Sequence, residues 1–86
     1  MKIEIVCWPM SESNKAKAAR LAALIKERLD LNTTITIGEP GQFEVIVGGD
    51  KIAERSRNWL SRRFGAGYPD LEGVVEQIAK RRTGRR

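Results

Sequence analysis

One cysteine, Cys7, is the plausible nucleophile of this 86-residue sequence. It ends an alternating stretch, residues 2–7, that predicts a β-strand, and it precedes a segment rich in alanine, leucine and lysine that predicts a helix. A helix N-terminus stabilises a nearby exposed thiolate by roughly 0.3–1 kcal/mol. The chemistry that this placement suggests is thiol–disulfide exchange.

The residue types that the sequence lacks exclude several kinds of catalysis and metal binding. The sequence contains no histidine and no second cysteine. It therefore excludes histidine acid–base catalysis, Ser–His and Cys–His pairs, an internal disulfide and the usual zinc sites, and we expect no metal and no resident cofactor. Met10 stands where a C-x-x-C motif has its second cysteine, and a thioether cannot form a disulfide. A monothiol cycle at Cys7 stays open, with glutathione as a co-substrate or a protein thiol as the partner.

Two interpretations of Cys7 follow. In the first, Cys7 is a reactive monothiol, and a peptide or a glutathione moiety contacts the four residues that follow it, Trp8, Pro9, Met10 and Ser11. In the second, Cys7 continues the apolar face of Ile3 and Ile5 into the core, as unpaired cysteines often do. Trp8 then shields the junction between strand and helix.

Positive charge is concentrated in the last third of the chain. Residues 55–86 contain nine Lys/Arg against three Asp/Glu, whereas residues 1–54 contain seven against eight. Within residues 55–64, two aromatic residues lie among arginines, a composition that can bind single-stranded nucleic acid or an acidic protein surface: Trp59 and Phe64, with Arg57, Arg62 and Arg63. The alternative is that the aromatic side chains anchor a long loop while the arginines solvate it.

The hydrophobic pattern predicts the element order β-α-β-β-β-α. The predicted strands cover residues 2–7, 32–38, 43–47 and 51–57, and the predicted helices cover 14–30 and 69–82. Ser11 or Ser13 is expected to cap the first helix, and Gly48-Gly49 to form a tight hairpin turn. The Thr–Ile alternation of the second strand predicts one covered face, and the polar fourth strand predicts a sheet edge.

The chain length predicts one domain at residues 1–82, followed by a basic tail at 83–86. No apolar stretch approaches the roughly 20 residues that a membrane span needs. The strand pattern begins at residue 2, so no signal peptide is expected. These features predict a cytoplasmic domain with no membrane association.

Three stretches of the sequence carry recognisable motifs: "GQFEVIVGGDKI" at 41–52, "GAGYPD" at 65–70 and "IVC" at 5–7. In that order, they resemble the G-x-F-E-V-x-V-x-G-x-x-I hairpin, the entry into the last helix and the end of the first strand of the selenoprotein W-related (Rdx, or SelT/SelW/SelH) family. The resemblance implies a thioredoxin-like two-layer α/β sandwich with a mixed sheet. It also implies a role in cell redox homeostasis through a C-x-x-C or C-x-x-selenocysteine motif, of which Cys7 is retained and Met10 replaces the second position.

Two functions are therefore expected. The first is that of a redox-family domain, either a monothiol acting through Cys7 or a redox-inactive binding module. The alternative is a non-catalytic adaptor whose residues 55–64 and C-terminal tail bind an acidic protein partner or nucleic acid. Trp59 or Phe64 is predicted to lie near Trp8, so that the loop from Arg57 to Phe64 covers or narrows access to Cys7 while its arginines face outward.

Overall fold

The secondary structure follows the predicted order. In the computed structural model, residues 1–55 and 69–83 are described. They form β1 (Ile3–Cys7), α1 (Glu12–Leu29), β2 (Thr33–Ile37), β3 (Phe43–Val47), β4 (Asp50–Glu54) and α2 (Leu71–Thr83). The first helix begins two residues earlier than predicted and the last begins two residues later, which is the usual uncertainty at helix ends.

β1 is a central strand of a mixed sheet with the order β2-β1-β3-β4. It pairs parallel with β2 and antiparallel with β3, and β3 pairs antiparallel with β4. The β3–β4 hairpin turns at Gly48 and Gly49, whose φ angles of 58° and 91° are the left-handed values that a two-residue turn requires. The predicted thioredoxin-like α/β fold class is confirmed.

The core lies between one face of the sheet and the two helices. Strand alternation places the odd-numbered side chains of β1 and β3 on that face, where they are buried with apolar residues of both helices: Ile3, Ile5, Cys7, Phe43, Val45, Val47, Ala18, Leu21, Leu24, Ile25, Leu71, Val74, Val75 and Ile78. The opposite face of β1 and β3 is partly exposed. The described residues therefore form a two-layer sandwich, as predicted.

Local hydrogen bonds fix the ends of α1. Ser11 is the N-cap, and its Oγ accepts a hydrogen bond from the backbone N–H of Asn14 at 3.3 Å. At the other end, Asp30 adopts a left-handed conformation with φ of 56°, and its N–H donates to the Lys26 carbonyl. The predicted cap at Ser11 is confirmed, and it determines where the chain turns from the end of β1 into the helix.

The expectation that β2 has one covered face is wrong. The register aligns Ile35 with Ile5 and Ile37 with Cys7, so both isoleucines are on the helix side of the sheet. They are nevertheless 52% and 75% exposed. The reason is that β2 is the outermost strand, and nothing in the described part of the chain packs beyond it. The prediction that β4 is an edge strand is confirmed.

α2 extends to Thr83, one residue into the segment predicted as a tail, and residues 84–86 lie outside the described part. Neither helix within residues 1–55 and 69–83 combines the length and the apolar character that a membrane crossing needs.

Candidate functional site

The Cys7 thiol lies inside the protein. Cys7 is the last residue of β1, and its backbone is aligned with Ile37 of β2 on one side and Phe43 of β3 on the other. Only 3% of its surface is exposed. It therefore continues the buried face of Ile3 and Ile5, as the second interpretation of Cys7 expects.

Burial raises the pKa of the Cys7 thiol above its ordinary value, because the thiolate loses solvation in an apolar surrounding. The expected help from the helix N-terminus does not outweigh this effect, since α1 begins at Glu12, five residues further on. Lys15, a cation that could have favoured the thiolate, pairs instead with Glu12 at 3.3 Å. At neutral pH Cys7 is consequently a protonated thiol.

The raised pKa predicts a loss of stability in alkaline solution. Above about pH 8.5, the ordinary pKa of a thiol, Cys7 of the unfolded chain ionises while the folded chain still keeps its proton. The folded state then binds more protons, so the free energy of unfolding falls as pH rises through the unfolded pKa. We expect denaturant titrations at pH 7 and pH 10 to show a larger loss for the natural chain than for Cys7→Val. Equal losses in the two proteins would contradict the raised pKa.

The connection after Cys7 is held against the β2–β3 turn. The backbone N–H of Trp8 donates to the Gln42 carbonyl at 3.0 Å, and the N–H of Ser11 donates to the Trp8 carbonyl at 3.4 Å. Trp8 and Pro9 are partly exposed, whereas Met10 is 74% exposed. The two positions of the C-x-x-C spacing thus differ sharply, since Cys7 is in the core and Met10 is at the surface.

Asn14 is a residue of this site that the sequence analysis missed. It is completely buried, and its Nδ2 donates to the same Gln42 carbonyl at 2.9 Å. Arg55 Nη1 approaches the Asn14 Oδ1 at 3.4 Å. Asn14 therefore connects the start of α1 to the β2–β3 turn and to the end of β4. The available signal was helical spacing, because Asn14 lies on the same face of α1 as the buried Ala18, Leu21 and Ile25.

Several arginines of the basic third have structural partners. Arg81 pairs with Asp50 of β4 at 2.5 Å, and Arg82 donates to the Leu29 carbonyl at the end of α1. These contacts attach α2 to its neighbours, which agrees with a structural role for this part of the positive charge. The proposed binding residues of the loop lie outside the described residues, as does the predicted approach of that loop to Trp8: Arg57, Trp59, Arg62, Arg63 and Phe64.

Neither a metal site nor a match to a known family accompanies this arrangement in the described residues. Within the described ranges, no group of three or more histidine, cysteine, aspartate or glutamate side chains could hold a metal ion. No protein-family model matches the chain, and the comparison with curated proteins finds no match either. The resemblance to the selenoprotein W-related family is therefore carried by the sequence stretches at 5–7, 41–52 and 65–70 alone.

Proposed function

We propose that this chain is a cytoplasmic thioredoxin-like domain of the selenoprotein W-related type that acts as a protein-binding module, without thiol exchange at Cys7. The observation that carries the proposal is the 3% exposure of Cys7, the sole thiol of the chain. The fold class agrees with the resemblance, and the burial of the thiol opposes thiol exchange.

Thiol exchange needs a thiolate that can approach a disulfide sulfur. Burial of Cys7 opposes both requirements, since it restricts access and raises the pKa of the thiol. Met10 removes the resolving thiol that would release a trapped partner. A buried, protonated cysteine with no resolving partner supports a structural role for Cys7 better than a catalytic one.

The surface of the loop that follows Cys7, residues 8–11, supports a binding function. Trp8 and Pro9 are partly exposed and Met10 is largely exposed, so three consecutive apolar side chains lie on a loop. The loop is held by the hydrogen bond from the Trp8 N–H to the Gln42 carbonyl and by the one from the Ser11 N–H to the Trp8 carbonyl. A fixed apolar loop loses little conformational entropy on binding. Three neighbouring apolar side chains at the surface favour a protein segment that also presents apolar side chains.

Monothiol exchange is the second candidate, favoured by the position of Cys7 directly before the loop of residues 8–11. Trp8 and Ser11 take part in three backbone hydrogen bonds, of which the one from the Ser11 N–H to the Trp8 carbonyl is the longest at 3.4 Å. Opening of residues 8–11 would expose Cys7. Its thiolate would then attack glutathione disulfide, forming a Cys7–glutathione disulfide and releasing one glutathione thiolate. A second glutathione thiolate would reverse the step, leaving glutathione disulfide and the free thiol.

The accessibility of Cys7 decides between the two functions. We expect iodoacetamide at neutral pH to alkylate Cys7 at least about tenfold more slowly than an exposed thiol, with full labelling once denaturant unfolds the chain. The variant Ser13→Cys supplies the standard, because Ser13 is exposed in the first turn of α1. This variant should be labelled in two phases, a fast one at residue 13 and a slow one at Cys7. Mass spectrometry of the two cysteine-containing peptides distinguishes the phases.

A single fast phase that accounts for both thiols of Ser13→Cys would contradict the binding-module proposal. The same conclusion would follow if glutathione disulfide added one glutathione to Cys7 in the folded natural chain. Either result would establish the monothiol function instead.

A further inference from the structure

The two edges of the sheet differ in how well they are protected from pairing with another strand. β4 carries Asp50, Lys51 and Glu54, and its charges form ion pairs with each other, with Glu44 and with Arg81. It also contains a β-bulge, since Val45 pairs with Ala53 and Ile46 pairs with Lys51, leaving one residue of β4 over. Charged side chains and bulges are the usual means of blocking an edge.

β2 has none of these features. No charged residue occurs between Asp30 and Glu39, although 31% of the chain is charged. The strand is regular in its pairing with β1, and Ile35 and Ile37 are 52% and 75% exposed. An uncharged edge strand with exposed apolar side chains is a surface that favours strand pairing.

The backbone of β2 shows which groups are available for pairing. The N–H of Gly38 donates to the Cys7 carbonyl at 2.9 Å. Because backbone groups alternate in direction along a strand, Thr34 and Thr36 also point toward β1, whereas the N–H and C=O groups of Ile35 and Ile37 point away from the sheet. Among residues 1–55 and 69–83, no strand pairs with these outward backbone groups, and the same two residues present exposed apolar side chains.

We propose that the β2 edge joins two copies of this chain in an antiparallel dimer whose two-fold axis passes beside Thr36. In this register Ile35 of each copy is opposite Ile37 of the second copy, and each such pair exchanges two backbone hydrogen bonds. The two four-stranded sheets become one continuous sheet. The isoleucines of both copies cover one another on the helix side.

A second copy fits this edge better than an unrelated strand because the edge is complementary to itself. A two-fold axis brings identical surfaces together, and like charges at the contact would then repel one another. Residues 31–38 have no charge, so two copies of this edge do not repel one another. Two copies of the β4 edge would bring like charges together. In the antiparallel arrangement each Ile35 is opposite an Ile37, so apolar side chains meet apolar side chains at both positions.

Sedimentation equilibrium in about 0.15 M salt, which screens the net charge of +5 on each copy, tests the dimer. We expect a concentration-dependent mass that approaches twice 9.7 kDa. Ile37→Lys should raise the dissociation constant at least about tenfold, because two lysines replace apolar contacts at the interface. Ala23→Lys makes the same charge change at an exposed position of α1 and should leave the dissociation constant within about twofold.

A monomer at all concentrations up to about 1 mM, or a dimer that Ile37→Lys leaves intact, would overturn the proposal. The position of the axis is tested by disulfide cross-linking. Thr36→Cys places two thiols opposite each other at a non-hydrogen-bonded pair, where Cα atoms are about 4.5 Å apart, and should cross-link under mild oxidation. Thr34→Cys should not cross-link. Cross-linking of Thr34→Cys in place of Thr36→Cys would overturn the register.

Discussion

Replacing Phe43 with alanine is expected to lower the free energy of unfolding by about 3–5 kcal/mol. Phe43 is 1% exposed and is among the largest buried side chains of the described core. Its truncation removes apolar contacts and leaves a cavity beside the strand position of Cys7. For a domain of this size, whose total stability is on the order of 5–10 kcal/mol, the loss is a large fraction. Urea unfolding followed by tryptophan fluorescence or circular dichroism measures it.

The same variant links stability to thiol reactivity. If Cys7 reacts only when the core opens, its alkylation should accelerate about a hundredfold or more in Phe43→Ala, since each 1.4 kcal/mol changes an equilibrium tenfold. Met10→Ala is the control, because Met10 is 74% exposed and its truncation should change stability by less than about 0.5 kcal/mol. A destabilised Phe43→Ala with unchanged alkylation would mean that Cys7 is reached by opening of residues 8–11 alone.

Replacing Asn14 with alanine is expected to cost about 1–3 kcal/mol. The change removes the Nδ2–H donor to the Gln42 carbonyl and the oxygen that Arg55 approaches, both in a completely buried position. Asn14→Asp keeps an oxygen toward Arg55 but brings a carboxylate to the Gln42 carbonyl. It should therefore also be destabilising at neutral pH, because two acceptor oxygens then face each other without a donor. Denaturant unfolding at pH 7 measures the effect of both substitutions.

Asn32→Ala is the matched control for Asn14→Ala. Asn32 is exposed ahead of β2, so its loss should change the free energy of unfolding by less than about 0.5 kcal/mol. Equal effects of the two substitutions would show that Asn14 does not hold the β2–β3 turn to α1. The proposed binding loop would then lose its support, because the Gln42 carbonyl that Asn14 contacts also accepts from Trp8.

The sequence alone determined the features that depend only on residues close to one another in the chain. The element order follows from local periodicity, the hairpin turn from Gly48-Gly49 and the start of α1 from Ser11, and each depends on neighbours in the chain. The buried stripes of both helices were also predictable, since helical spacing decides which side chains share a face. The fold class could be predicted because these local features agree with one another.

Tertiary structure decided the character of the site, because burial depends on elements distant in the chain. Cys7 is a core residue because Phe43, 36 positions later, and the two helices enclose the face it shares. Asn14 is significant because Gln42 lies 28 positions away in sequence but within hydrogen-bond distance. Alternation alone could not show that Ile35 and Ile37 are exposed, since it identifies the face of a strand but not its place in the sheet. The strand order, which places β2 at the edge, determined that exposure.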